Sequence, residues 1–244
     1  MQIFSSLLLT AGTCLVLGFA PPASAATTGS GRMATEQRAV SGFEAVATTG
    51  SIDLVLRQTG KEAVEVQADD NLLPLIETVV ERGSRGPTLQ VRLKRGERVH
   101  NHGQIRVTVD VVQLKAVSTA GSGDIVVDGL KTPSFHLSIA GASDARLNGL
   151  ATELLDLRIS GSGDVQAAGT ATSVKLSIAG SGDANLAALV ADDVHVRIAG
   201  SGDASVTANK VLDVSVAGSG DVRYGGSATT VKSSTAGSGT VSRR

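Results

Sequence analysis

From about Val40 onward the chain alternates apolar and polar positions in short bursts, and in its second half the bursts recur at a fixed period. Seven residues before each aspartate of a series stand Val117, Leu137, Leu157, Leu176, Val196 and Val214, and five before it stand Thr119, Ile139, Ile159, Ile178, Ile198 and Val216. Between these apolar columns lie Ser118, Ser138, Arg158, Ser177, Arg197 and Ser215. After the aspartates the alternation resumes, with Ile125, Ala145, Val165, Ala184, Ala204 and Val222, and two positions later Val127, Leu147, Ala167, Leu186, Val206 and Tyr224. Period two is the signature of a strand with one buried face. Each repeat is therefore predicted to hold two short strands.

A glycine-rich turn joins them. It reads Ala120-Gly121-Ser122-Gly123-Asp124 and returns six more times with small changes, the last copy ending at Thr240 rather than Asp. Successive end positions are separated by 20, 20, 19, 20, 18 and 19 residues. Near-identical turns at constant period stack naturally when each repeat makes one coil of a solenoid. One coil of this length suits two or three strands plus turns, and small inward residues such as Ala145, Ala167, Ala184 and Ala204 fit a narrow interior. The expected fold is all-β: a parallel β-helix with coils of about 20 residues and a less regular N-terminal part. Stacking at about 4.8 Å per coil places His136, Asp156, Lys175, His195, Asp213 and Lys232 in one outward column.

The N-terminal half is less regular. Thr48-Thr49-Gly50-Ser51-Ile52-Asp53 is a degenerate copy of the turn. β-rich runs follow at 63–67, 76–81, 89–94 and 105–112, with a loop or short turn at 69–74, a hairpin-like connection at 82–87 and a polar loop at 95–103. The domain reading is a signal peptide over 1–25, a flexible linker over 26–39, irregular coils over 40–115 and regular repeats over 116–244. A separate small β domain in the first part is the alternative.

Residues 1–31 carry no Asp, Glu, Lys or Arg, and the apolar run from Ile3 to Ala20 leads through Pro21-Pro22 to Ala23-Ser24-Ala25. That A-x-A ending predicts cleavage before Ala26 and export to the periplasm, the outer cell surface or the medium. The absence of a basic residue before the run leaves an uncleaved anchor as the other reading. Cys14, the sole cysteine, sits inside the run after Ala11-Gly12-Thr13, a poor lipobox, so the mature chain has no disulfide or thiolate metal site. No later segment is apolar enough to span a bilayer.

Composition narrows the function. Aromatics are 2% and tryptophan is absent, which suits thin stacked layers better than one thick core. A net charge of −1 without a basic segment lacks the footprint of a nucleic-acid binder.

The column Asp124, Asp144, Asp164, Asp183, Asp203 and Asp221 is the main chemical oddity. Carboxylates about 5 Å apart repel by somewhat under about 1 kcal/mol per neighbour in water, so something must offset the repulsion. Either each Asp accepts hydrogen bonds from turn amides in an Asx-turn, or the row gathers a cation such as Ca²⁺. The structural-turn glycines are Gly121, Gly123, Gly161, Gly163, Gly180, Gly182, Gly200, Gly202, Gly218 and Gly220, with positive φ expected at the first glycine of each pair. A phosphate loop would need a strand-to-helix junction and usually a Lys, which are lacking. His100 and His102 share the polar loop, where an H-x-H pair can bind metal but a solvated loop fits better. His136 and His195 fall on outward positions. No catalytic residues and no cofactor are expected, because the acids are spread by the repeat and no G-x-S-x-G elbow occurs.

The segment Phe43 to Leu56, the stretch Asp69-Asp70-Asn71-Leu72-Leu73-Pro74 and the serial Gly-Ser-Gly-Asp turns together resemble the GIN domain, the head of a family of auto-transporter adhesins. The resemblance covers roughly Val40 to Val241. It implies a right-handed, single-stranded β-helix with glycine turns joining two sheets, export, and a role in cell adhesion without catalytic residues. The expected function is an exported, non-catalytic binding or adhesion module, with the ladder Ser138, Arg158, Ser177, Arg197 and Ser215 on the contact face and a host or neighbouring cell surface or an envelope polysaccharide as partner. A polysaccharide-active enzyme on the same scaffold and a ligand-free envelope spacer are the alternatives; neither the ligand nor the oligomeric state is specified by the sequence.

Overall fold

A computed structural model describes residues 26–100 and 103–244. The signal-peptide segment, Cys14 and His102 lie outside the described residues. The N-terminal strands are β1 (Thr27–Thr28), β2 (Met33–Arg38), β3 (Ala45–Gly50), β4 (Ile52–Gln58), β5 (Ala63–Asp69), β6 (Ile76–Gly83), β7 (Gly86–Leu93), β8 (Val99–His100) and β9 (Ile105–Val111). The repeat contributes β10 (Ala116–Gly121), β11 (Ile125–Asp128), β12 (Lys131–Gly141), β13 (Ala145–Gly161), β14 (Val165–Gly180), β15 (Ala184–Gly200), β16 (Ala204–Gly218), β17 (Val222–Gly225), β18 (Thr230–Gly237) and β19 (Val241–Arg243). Together they form a β-solenoid of about 6 turns with an irregular N-terminal part.

The repeat stacks in register. In β13 and β14, Leu157 lies over Leu176 and Ile159 over Ile178, and all pairings from β10 to β19 are parallel. The apolar columns read from the sequence are the core: Leu137, Leu157, Leu176, Val196 and Val214 are each 1% exposed or less. A fifth inward column, Phe135, Leu155, Val174, Val194 and Leu212, completes the interior.

The two glycines of each turn have different reasons. Gly161, Gly180, Gly200 and Gly218 have φ between +133 and +141, a region other residues avoid. The second glycines, such as Gly182 and Gly202, have ordinary φ but no room: a Cβ there would lie 2.2 and 2.1 Å from a carbonyl oxygen of the preceding rung. The exception is Ser143, which is fully buried where other rungs have glycine. The rung before it carries Thr119 where the next four rungs carry Ile, and Ser143 Oγ lies 3.3 Å from Thr119 Oγ1, which accepts from Thr48 Oγ1 at 3.1 Å in a short hydroxyl chain.

The N-terminal half begins the same two faces. β3 stacks on β10 with Gly50 over Gly121, and β4 stacks on β11 with Leu54 over Ile125, so the degenerate turn is the first rung of the series. β7 and β9 add one further rung, parallel to β3 and β4. Each face then closes with antiparallel strands, β6 on β7 and β5 then β2 on β9. The connection at 82–87 is a hairpin tip, as expected. The expected flexible linker over 26–39 is instead largely built into the fold: Met33–Arg38 pairs with Val64 to Asp69 of β5, and Thr27–Thr28 pairs with β8 in the polar loop. The segment reads as a linker because β2 buries little and so shows no clean alternation. Its role is to cover the edge that β5 would otherwise expose.

Candidate functional site

The outward face before the turn carries two columns. One runs Ala45, Ala116, His136, Asp156, Lys175, His195, Asp213 and Lys232; the other runs Ala47, Ser118, Ser138, Arg158, Ser177, Arg197, Ser215 and Ser234. The columns begin with small residues, Ala45 and Ala116 in the first and Ala47, Ser118 and Ser138 in the second, and the tip of the β6–β7 hairpin, Gly83 to Arg85, lies against this end of the face. Between tip and face lies a cleft of about 340 Å³ whose lining includes Ala47, Ser84, Arg85, Ser118, His136, Ser138, Asp156 and Arg158. A continuing shallow trough lined by Lys175, Ser177, His195 and Arg197 leads away from it.

Asp156 is the hub of the cleft. Its side chain is 13% exposed, against 61% for Arg158. Arg158 donates from Nε to Oδ1 at 3.3 Å and from Nη2 to Oδ2 at 3.1 Å, a forked pair. His136 Nδ1 lies 3.2 Å from Oδ2, and Arg85 Nη2 reaches to 3.9 Å from the hairpin tip. Burial pushes the carboxyl pKa up, but the hydrogen bonds from Arg158 and His136 outweigh it and hold the group below its ordinary value. Asp156 lies beside Lys175 in the column, yet the carboxylate turns to the preceding rung and to its own strand instead. Likewise Asp213 faces His195 at 3.8 Å rather than Lys232.

The aspartate column lies on the turn edge. Its carboxylates do not serve their own turns. Asp144 Oδ1 accepts the backbone N–H of Asp164 at 3.0 Å, Asp164 that of Asp183 at 2.9 Å, and Asp183 that of Asp203 at 2.8 Å. Asp203 accepts from Asp221 at 2.8 Å, and Asp53 accepts from Asp124 at 3.1 Å, so the ladder starts in the degenerate turn. At the far end Asp221 accepts both the N–H and the hydroxyl of Thr240, and these bonds lower its pKa. The ladder is interrupted between Asp124 and Asp144; every other charge meets an amide dipole one rung on, which offsets the repulsion along the row. Among the described residues no group of three or more His, Cys, Asp or Glu is arranged to hold a metal ion.

The structure joins His136 to Asp156 and Arg158, but His195 is three rungs from His136 and His100 is on the N-terminal loop strand β8. Arg85 was not singled out by the sequence. It stands in a hairpin connection, and nothing local says that this tip lies over a face four rungs further along the axis.

A family profile described as "Putative auto-transporter adhesin, head GIN domain" matches residues 42–228. No match was found among curated proteins. Among solved structures, a "putative adhesin" from Bacteroides fragilis NCTC 9343 is 26% identical, with a TM-score of 0.81 over 89% of this chain and 99% of that one. A "Putative lipid binding protein" from Parabacteroides distasonis ATCC 8503 is 23% identical, with a TM-score of 0.74 over 90% of this chain and 100% of that one, and shares the fold. With most of its length matched and its glycine turns stacked as one solenoid, the chain belongs to the GIN-domain family of auto-transporter adhesin heads.

Proposed function

We propose that the protein is an exported, non-catalytic binding and adhesion module, displayed on the cell surface or in the periplasm, with an envelope or neighbouring-cell polysaccharide as its partner. The observation that carries this reading is the outward face itself: a flat, rigid, polar ladder leading into a cleft, on a scaffold whose interior is filled. Family membership and the Bacteroides fragilis structure support adhesion. Export rests on the apolar segment and its A-x-A ending. A glycoside hydrolase needs two placed carboxyl groups, whereas the cleft holds Asp156 alone, tied to Arg158.

Protease treatment of intact cells tests the reading. An adhesin is degraded while cytoplasmic markers survive, and N-terminal sequencing of the mature protein starts at Ala26. Protection that ends once the outer membrane is permeabilised places the protein in the periplasm and removes adhesion, and protection that persists until the cells are lysed overturns export as well. Product release from a polysaccharide panel would overturn the non-catalytic part.

A further inference from the structure

The charge on the outward face is unlike that of the chain. The whole sequence is nearly neutral, at −1. The cleft and its trough instead present Arg85, Arg158, Lys175 and Arg197 against the single carboxylate of Asp156. Among the described residues, Lys175 and Arg197 take part in no ion pair. Arg158 gives two donors to Asp156 and keeps the rest of its fork for an incoming anion. Arg85 is held only loosely, at 3.9 Å, and is 40% exposed. Asp156 therefore acts as a positioning residue: it fixes Arg158 and draws Arg85 towards it without neutralising both.

The spacing and the missing groups define the ligand class. Arg158 and Arg197 stand two rungs apart in one column, or about 10 Å. That is close to the repeat of a disaccharide unit and far sparser than the charges on duplex DNA, which recur about every 1.7 Å. The lining contains no Phe, Tyr or Trp ring on which a neutral sugar or a base could stack. Ser138 and Ser177 supply hydroxyls between the cations, suited to sugar hydroxyl groups.

We propose that the cleft under the hairpin tip, with Arg85 and Arg158 as its anchoring pair, binds an acidic polysaccharide whose carboxylate or sulfate groups recur along the line from Arg158 to Arg197. This rests on the adhesion reading and narrows it to a ligand class.

The test is binding of the purified protein to polygalacturonate, dextran sulfate and uncharged dextran, measured by calorimetry at several salt concentrations. Both acidic polymers bind, with affinity falling as salt rises, and dextran does not. Arg158→Ala weakens binding by about tenfold, Arg158→Lys by less, and Arg85→Ala weakens it too. Arg223→Ala, on the other face, leaves it unchanged, and matching circular dichroism melts show that the variants fold. Equal binding of dextran, indifference to both Arg158→Ala and Arg85→Ala, or displacement of polygalacturonate by duplex DNA or phosphatidylglycerol vesicles overturns the proposal. Cells that still adhere through this protein without binding acidic polymers overturn only the ligand class; a protein unreachable from outside removes the adhesion reading itself.

Discussion

The two halves of the solenoid reach the same cross-section by different means. From Ala116 onward each coil copies its predecessor, so one local turn decides the register of everything that follows. Before it, β2, β5, β6 and β7 are held by antiparallel partners, as far apart in sequence as Ala63 and Asp110, and no motif recurs. Repetition gives a rigid interior with little tolerance at the turns. Irregularity gives a closed end and a hairpin free to reach over the face. The site forms where the two meet.

Glycine substitutions break the comparison most sharply. Gly180 has φ +135, and a Cβ there would sit 2.2 Å from the Gly161 carbonyl oxygen; Gly60 in the N-terminal half has φ +78 with nothing within 4 Å. Gly180→Ala is expected to cost at least about 3 kcal/mol and Gly60→Ala about 1 kcal/mol, read from urea unfolding midpoints. Equal losses would show that the turn stack is not the tighter half.

The carboxylate ladder gives the next effect. Asp183→Ala leaves the Asp203 amide without its acceptor and should lose about 1–2 kcal/mol, while Asp183→Asn, which keeps a carbonyl oxygen, loses less. The melting midpoint of the wild type should not move on adding millimolar Ca²⁺. A rise of several degrees would mean that the row gathers cations.

Acid sharpens the comparison at the junction. Because the folded pKa of Asp156 lies below its ordinary value of 3.8, its contribution is fully present above that value and is lost as pH falls through the lowered one. Asp156→Asn should therefore unfold at lower urea than the wild type at about pH 6, and the gap should narrow as pH falls through the lowered pKa. A gap that persists in acid would show that the carboxylate charge is not what joins hairpin to face. The smallest effect is expected at Ser143→Gly, which restores the repeat but removes one buried hydroxyl contact, a change within about 1 kcal/mol.

The coils from Ala116 were legible because both of their signals are local: alternation names the inward side, and the glycine turn fixes the period. Even the step from Ile to Thr119 opposite Ser143 is visible once the register is known. The N-terminal pairings were not, since β2 has no buried stripe and its partner β5 is chosen by edge coverage rather than by pattern. The ladder Ser138, Arg158, Ser177 and Arg197 could be placed on one face from the sequence. The cleft could not, because it depends on how far the tip carrying Arg85 descends along the axis. The aspartates were correctly marked as needing partners, but the partner lies one coil away, where sequence neighbours give no hint.

From Asp164 to Asp221 each aspartate offers its oxygen forward while its own amide is already satisfied from behind, so the coil is a self-contained link with a direction. A whole link can be cut out or duplicated with every bond remade at the seam, whereas a change of one or two residues leaves a donor and an acceptor out of step. Molecular reach thus becomes adjustable in increments of about 4.8 Å, independent of the end that carries Arg85.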